Sequence, residues 1–417
     1  MSLSADIASL TKSQRSAIWA SYLGWTLDAF DFFLLVFLQS AIAKEFGTDI
    51  KAVSEALFFT LAARPAGAFV FGWLADRFGR RPILMIVILL FSGFSVLSGF
   101  AQTLSQLWLI RALFGFAMGG EWGVGASLVM ETIPPRLRGP VSGLLQSGYP
   151  SGYFLASLAY FLFFDHIGWR GMFMIGVVPA LLVFLIRLHV HESPAFETRR
   201  GRAKTHSLLG SLLEMLRELA RHWKITLYVV TLMTAFNFFS HGTQDLYPTF
   251  LQKQHHFDTH MTGTLSLIMN LGAIIGGLSF GIWSERIGRK KAIIIAASLA
   301  LPVIPLWAFS ETPLLLGLGA FLLQISVQGA WGIVPVHLNE LSPALVRGMF
   351  PGFAYQLGNL IASRNGPIQA GFAEAHGNNY GLALALVAGA AAVVLVILTA
   401  LGPERRDVDF VEEAKAG

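Results

Sequence analysis

Gly72-Trp-Leu-Ala-Asp76-Arg77-Phe-Gly79-Arg80-Arg81 and Gly281-Ile-Trp-Ser-Glu285-Arg286-Ile-Gly288-Arg289-Lys290 share one pattern of glycine, acidic and basic residues, 209 positions apart. A second pattern, Glu131-x-x-Pro134-x-x-x-Arg138-Gly139, returns as Glu340-x-x-Pro343-x-x-x-Arg347-Gly348 with the same offset (340 − 131 = 209). Because one register holds through a span of roughly 80 residues, we interpret the chain as a duplicated unit.

The composition places this duplicated unit in a membrane. Hydrophobic residues make up 54% and charged residues 13% of the chain, about half the charged share of a soluble domain. Apolar runs such as 82–100 and 382–401 have about the length that crosses a bilayer as a helix. We therefore predict an all-α membrane protein of twelve transmembrane helices in two parallel six-helix repeats. The predicted spans are 17–42, 53–75, 83–102, 106–130, 139–164, 170–189, 224–251, 262–284, 291–310, 313–340, 347–372 and 379–402.

Domain limits and orientation follow from the same spans. Residues 1–190 form the predicted first bundle, 191–222 a polar linker with Arg199, Arg200, Arg202 and Lys204, and 223–417 the second bundle. If both termini are cytoplasmic, the inner segments hold 23 of the 30 Lys and Arg residues and the outer loops hold four. This bias predicts cytoplasmic termini and a multi-pass protein of the bacterial inner membrane. The positive net charge follows from the bias and needs no nucleic-acid partner.

Charged and polar side chains inside the spans indicate what is moved. An ionised group at mid-bilayer costs about 2.5–3.5 kcal/mol on insertion scales, so it needs a partner or a water-filled cavity. Asp28 and Asp31 are three residues apart, so we expect them on one helical face, where repulsion can raise one pKa enough to carry a proton. The planar guanidinium of Arg64 can bind a carboxylate through two parallel hydrogen bonds. The alternative for each is an internal ion pair that only fixes helix packing, and Arg111 is expected to be structural.

The seventh span carries a continuous polar stripe, Asn237-x-x-Ser240-His241-x-Thr243-Gln244-Asp245. When the two repeats are aligned at the offset of 209, Asn237 corresponds to Asp28 and Ser240 to Asp31. In the same alignment Arg64 corresponds to Ala273. The charges are therefore asymmetric on a symmetric frame, as expected of a site for one small anion plus a proton.

A family resemblance rests on these motifs. The duplicated Gly-x-x-x-Asp/Glu-Arg-x-Gly-Arg loops, together with Arg111-x-x-x-Gly115-x-x-x-Gly119, resemble the signatures of the major facilitator superfamily. The stripe continues to Thr249 and resembles the N-x-x-[S/T]-H-x-[S/T]-Q-D-x-x-x-T signature of the sialate/lactate proton symporter family, closest to Jen-type lactate and pyruvate permeases. The segments from Trp25 to Phe33, from Thr60 to Ala68 and from Tyr355 to Leu360 resemble the same family. Arg364 departs from that pattern.

The resemblance implies proton-coupled symport of a small monocarboxylate by alternating access, without enzymatic activity. Sialic-acid members often carry an inserted pair of helices, for which the linker has no room. A sialic-acid or aromatic-acid symporter and an uncoupled organic-anion facilitator remain alternatives. The expected partners are the organic anion, the proton and the bilayer, with no cofactor other than the coupling proton, no metal, and a functional monomer.

Three groups of site residues follow. Predicted substrate-binding residues are Arg64, Asn237, His241, Gln244, Gln356, Asn359 and Arg364. Predicted proton-coupling residues are Asp28, Asp31, Glu121 and Asp245. A conformational latch, in which charge-assisted pairs near helix N-termini break when the halves rock, is predicted at Asp76, Arg77, Arg80, Glu131, Arg138, Glu285, Arg286, Arg289, Glu340 and Arg347.

Overall fold

A computed structural model describes residues 3–48, 50–188, 190–203 and 208–416, and all regular structure in these ranges is helical. Eight helical segments are long and apolar enough to cross a membrane. They are the first to fourth, eighth to tenth and twelfth spans: Lys12–Phe46, Ala52–Phe78, Arg80–Gly99, Leu104–Thr132, His260–Ile287, Arg289–Phe309, Pro313–Leu341 and Tyr380–Leu401.

The remaining four spans are interrupted. The fifth and sixth run through the helices Arg138–Gln146, Gly148–Ile175 and Val177–Leu188. Gly168 separates these two spans inside the second helix, because its φ of 62° and ψ of −178° lie outside the helical region and suit glycine. The seventh consists of Trp223–Gln244 and Tyr247–Lys253, and the eleventh of Phe350–Ala362 and Asn365–Ala375.

Breaks also occur within two of the long spans. The fourth divides into Leu104–Gly119 and Glu121–Thr132, and the tenth into Pro313–Trp331 and Val334–Leu341. The first span, at 35 residues, is longer than expected. The linker, expected to be a polar connection, contains the helices Pro194–Ala203 and Leu208–Arg221, while Lys204 lies outside the described residues. The other elements are Leu3–Ala8, the 3₁₀ turns Pro135–Leu137 and Ala344–Val346, and the C-terminal helix Phe410–Ala416.

Small residues let the halves approach closely at one end of the molecule, which we name the latch end. A Cβ placed on Gly352 of the eleventh span would lie 3.0 Å from the Cα of Gly123 in the fourth. In the same region Ser127 Oγ donates to the Arg347 carbonyl at 2.8 Å, and Ser142 Oγ accepts from the Val336 amide at 3.1 Å. These contacts join opposite halves, so the structure is a latch-closed state.

Candidate transport site and latch

The predicted latch residues of the first half form one buried cluster. Asp76 accepts hydrogen bonds from the amides of Gly348 (2.9 Å) and Met349 (3.0 Å), at the start of an eleventh-span helix in the other half. Arg80 binds Asp76 at 2.9 Å and Glu131 at 3.1 Å. The carboxylate thus meets the positive end of a helix dipole while an arginine of its own half holds it.

The second half repeats this cluster in the reverse direction. Glu285 accepts a 2.6 Å hydrogen bond from the Gly139 amide, at the start of the fifth span. Arg289 binds Glu285 at 2.7 Å and Glu340 at 3.1 Å. Each half therefore contributes one carboxylate that binds a helix terminus of the other half, and both bonds must break when the latch end opens.

The C-terminal helix completes the latch in a way the sequence did not indicate. Phe410 is 1% exposed and lies between two guanidinium groups, with Arg138 Cζ 3.8 Å and Arg347 Cζ 4.1 Å from its ring centroid. Arg138 also donates to the Val408 carbonyl at 2.7 Å, and Arg347 pairs with Glu413. Since Arg138 and Arg347 are repeat mates, a single aromatic ring bridges matching positions of the two halves.

The last two predicted latch residues lie at the edge of this region. The guanidinium of Arg77 lies 5.4 Å from the ring centroid of Phe78. Arg286 is exposed and lines an open cleft of about 730 Å³ between the halves, together with Arg136 and Arg406. Neither occupies the positions that Arg80 and Arg289 hold between two carboxylates.

Arg64 and Asp28 face each other in the interior of the first half. Arg64 Nη2 lies 3.7 Å from Asp28 Oδ2, and the two side chains are 5% and 1% exposed. The same Nη2 lies 3.0 Å from the Met118 sulfur, a weak acceptor, and Arg64 Nε has no hydrogen-bond partner within the described ranges. Because Nε is an unused donor, this guanidinium can bind a further carboxylate.

Asp31 has different neighbours from Asp28, although the spacing predicted one shared face. Asp31 accepts a 2.7 Å hydrogen bond from Ser95 of the third span and is 2% exposed. It interacts electrostatically with Arg111, which is fully buried 3.8 Å from the ring centroid of Phe114. The nitrogens of Arg111 have no hydrogen-bond partner among the described residues. Arg111 is therefore a buried guanidinium within electrostatic range of Asp31, and sequence reasoning missed this proximity.

In the seventh span, His241 joins two groups of the second half. Its Nδ1 lies 3.1 Å from Asp245 Oδ1, and its Nε2 lies 2.9 Å from Asn359 Oδ1 in the eleventh span. As placed, both partners are acceptors, an arrangement that the doubly protonated ring satisfies. His241 and Asp245 are 29% and 45% exposed, so this pair is accessible in the latch-closed state.

The rest of the polar stripe has separate partners. Gln244 Nε2 donates to Gln324 of the tenth span at 3.0 Å, whereas Asn237 Nδ2 donates to the Met233 carbonyl of its own helix at 2.7 Å. The stripe is continuous in sequence, but Asn237 is satisfied locally while His241 and Gln244 connect the seventh span to its neighbours.

We call the side of the site with Asp28 and Arg64 the first, charged wall, and the side with His241, Gln244 and Asn359 the second, polar wall. Four aromatic side chains, which we name the aromatic floor, connect the two halves next to these walls. They are Trp25 and Trp122 from the first half and Trp331 and Tyr355 from the second. The Tyr355 ring centroid lies 4.8 Å from that of Trp122, 6.4 Å from Trp25 and 5.5 Å from Trp331. All four are at most 7% exposed. Tyr355 and His241 both lie within electrostatic range of Arg64, so the floor lies close to the charged groups of the first half.

Three predicted residues remain, of which Glu121 lies beside the aromatic floor. Glu121 is 1% exposed and lines a cavity of about 10 Å³ with Ser21 and Trp25, near the minimum size for one water. Gln356 is 2% exposed. Arg364 lies at the break in the eleventh span with an exposed side chain that forms no hydrogen bond or ion pair within the described part of the chain. The structure does not bring Arg364 to Arg64 or His241, and its role in binding stays a prediction.

The long apolar helices, the internal repeat and the paired contacts between the halves define a multi-pass membrane protein built from two similar halves. The family profile of the Major Facilitator Superfamily matches residues 17–364 and 246–416, and the chain belongs to this superfamily. It is 30% identical to the sialic acid transporter NanX of Escherichia coli, over 92% of this chain and 93% of that protein. It is 28% identical to a carboxylic acid transporter protein homolog of Saccharomyces cerevisiae, over 94% of this chain and 67% of that protein.

A solved structure gives the same fold. The proton:xylose symporter XylE bound to 6-bromo-6-deoxy-D-glucose superposes with a TM-score of 0.76 at 19% identity, over 97% of this chain and 98% of that one. One expectation also changes. The absence of inserted helices does not argue against sialic acid, because the NanX match covers nearly that whole transporter.

Proposed function

We propose that the protein is a proton-coupled symporter of a small monocarboxylate, of the lactate or pyruvate type. The observation that carries the proposal is the buried pair of Arg64 and Asp28, 3.7 Å apart with donors of Arg64 still available. Two relatives whose names refer to carboxylic acids and sialic acid support an organic anion.

The proposed coupling step is an exchange of partners on Arg64. A proton that binds Asp28 neutralises the carboxylate and weakens its attraction for the guanidinium. The substrate carboxylate then takes that position as a two-pronged partner. His241, Asn359 and Gln244 on the opposite wall bind the other polar groups of the substrate. Proton and anion together leave the site no more charged than before, so the loaded carrier avoids the cost of an extra buried charge.

The latch gives this step a direction. With both termini in the cytoplasm of a bacterium, as the distribution of Lys and Arg suggests, the latch end is cytoplasmic and the structure corresponds to an outward-facing state. Loading of the site is proposed to favour rocking of the halves, which breaks the Asp76 and Glu285 contacts. On the cytoplasmic side Asp28 loses its proton. Its carboxylate then pairs with Arg64 again, and the substrate carboxylate dissociates.

An inward proton gradient across proteoliposome membranes tests the proposal. We expect concentrative uptake of labelled lactate or pyruvate that a protonophore abolishes, with protein-free liposomes as the control. Uptake that equilibrates without concentrating, at a rate insensitive to the gradient, contradicts symport and supports an uncoupled facilitator. A parallel counterflow panel with acetate, benzoate and sialic acid distinguishes the alternative substrates.

A further inference from the structure

Six aromatic side chains form a continuous row along the facing surfaces of the first and fifth spans. They are Phe33, Phe37, Tyr149, Tyr153, Tyr160 and Phe164. Successive ring centroids are 5.3 Å apart for Tyr149 and Phe33, 4.8 Å for Phe33 and Tyr153, and 5.7 Å for Tyr153 and Phe37. Phe37 then stacks on Tyr160 at 5.6 Å, and Tyr160 on Phe164 at 4.6 Å.

This aromatic row ends at the proposed binding site. Tyr149 lies 5.8 Å from Trp25 of the aromatic floor, measured between ring centroids. Tyr149 also lies within electrostatic range of Arg64. A molecule whose carboxylate binds Arg64 would therefore have its body beside the rings of Trp25, Tyr149 and Phe33.

The position of the row on the fifth span indicates a surface for a ligand. Gly152 and Ala156 are buried and form the face that packs on the first span, where Gly152 contacts Ala29 and Phe30. Phe154 and Phe161 are 52% and 80% exposed and lie on the outer, lipid side. At about 100° per residue, Tyr149, Tyr153 and Tyr160 lie between these two faces, and all are half-buried.

The duplicated half shows that the fold does not require the row. At the offset of 209, the six aromatic residues lie over Gly242, Leu246, Gly358, Ala362, Gln369 and Ala373. Here the second half packs its seventh and eleventh spans with glycine and alanine, and Gln369 donates to the Gly242 carbonyl at 2.8 Å. At these six positions, therefore, aromatic rings occur only in the half that also carries Arg64, which is the pattern of a binding surface rather than of helix packing.

We infer that the site prefers a flat, unsaturated monocarboxylate, aromatic or conjugated, over an aliphatic hydroxy acid of similar charge. The inference rests on the proposed function and narrows its substrate class, because it ranks planar monocarboxylates ahead of lactate. The carboxylate occupies Arg64, and the planar body lies against the row, where rings pair in stacked or edge-to-face geometry. His241 and Asn359 on the opposite wall bind ring substituents.

Benzoate and cyclohexanecarboxylate separate planarity from size, because both carry one carboxylate on a six-membered ring. Each is tested as a competitor of labelled pyruvate, lactate and benzoate in counterflow, with one pH on both sides so that diffusion of the free acids creates no driving force. We expect benzoate to compete about tenfold better than cyclohexanecarboxylate and lactate. Phe33→Leu and Tyr153→Leu should each reduce this preference at least about threefold, whereas Phe154→Leu, on the lipid side of the same helix, should retain it.

The outcomes keep the two proposals apart. Counterflow of lactate or pyruvate with equal competition by benzoate and cyclohexanecarboxylate overturns the inference and leaves the monocarboxylate transporter standing. An equal loss of preference in Phe154→Leu also overturns it, because that change does not touch the row. If none of the three labelled acids exchanges in reconstituted protein whose folding is verified by its melting temperature, the proposed function itself fails.

Discussion

Arg80 in the first half and Arg289 in the second occupy matching positions of the duplicated unit, and each contacts two carboxylates with nearly equal geometry. Arg64, by contrast, matches Ala273, and no charge on the second wall corresponds to it. The latch has therefore kept the symmetry of the duplication while the transport site has lost it. In the proposed alternating-access cycle the two halves release each other, so the predicted latch has a part in each half. One anion and one proton need only one set of charges.

The two walls of the site differ in kind. The first half carries the Asp28–Arg64 pair, Asp31 within electrostatic range of Arg111, and the aromatic row. The second half carries neutral amides and the His241–Asp245 pair. In the proposed mechanism the first wall holds the carboxylate and the proton, and the second recognises the rest of the substrate. The predictions below test this division.

The largest effect is expected from Arg64→Lys. Lysine keeps the charge but loses the planar fork, so the two-pronged contact with a carboxylate is lost. We expect substrate affinity in counterflow to fall about 100-fold, which corresponds to about 2.7 kcal/mol. Near-normal affinity would remove Arg64 from the site. The melting temperature of the Arg64→Lys variant, compared with that of the wild type, shows whether folding is retained.

Asp76→Asn and its repeat mate Glu285→Gln test the symmetry of the latch. Each change weakens a charge-assisted contact with a helix terminus of the other half, so each should destabilise the latch-closed state by about 2 kcal/mol. The chain has no cysteine, so spin labels at Arg136→Cys and Ile282→Cys report the distance across the latch end. We expect a longer-distance population in both variants. A change in only one of them would contradict a two-sided latch.

His241→Asn should weaken substrate binding about tenfold without abolishing proton-driven accumulation, because it removes hydrogen bonds from the second wall rather than the proposed proton carrier. Counterflow gives the affinity, and the pH-gradient assay gives the coupling. Loss of accumulation with normal affinity would instead place the proton on the His241–Asp245 pair.

The smallest effect is expected from Phe410→Leu, which keeps an apolar side chain but removes the ring between Arg138 and Arg347. We expect a loss of about 1 kcal/mol of latch-closed preference, seen as a modest shift in the same spin-label distance distribution. A shift as large as that of Asp76→Asn would show that the C-terminal helix contributes more than its two ring contacts.

The sequence predicted the frame and the clustering of the charged loop residues because the repeat fixes both, while their role as a latch stays a prediction. Asp76, Arg80 and Glu131 have mates at one constant offset, and loops in matching positions of a duplicated unit lie at the same end of the molecule. Neighbours across helices were harder to predict. The spacing places Asp28 and Asp31 on one helical face. In the structure, however, Asp28 pairs with Arg64 of the second span, and Asp31 accepts a hydrogen bond from Ser95 of the third.

Two further features depend on contacts that no local pattern records. The chain has 34 Phe residues, so the aromatic row is indistinguishable from lipid-facing phenylalanine until the first and fifth spans are packed together. Phe410 lies beyond the last span, in a short helix whose position is set by two arginines distant in sequence. Breaks inside the seventh and eleventh spans were also missed, since the apolar pattern runs through them.

Asp28→Asn tests the central claim, that one wall carries both the substrate anion and the coupling proton. Asparagine resembles the protonated carboxyl and leaves Arg64 available to substrate at every pH. The measurement compares two assays on the same reconstituted variant: counterflow between compartments of equal pH, and accumulation driven by an inward proton gradient. We predict that exchange continues and accumulation is lost. Full proton-driven accumulation by Asp28→Asn would contradict the account and move the proton to Asp31, Glu121 or Asp245.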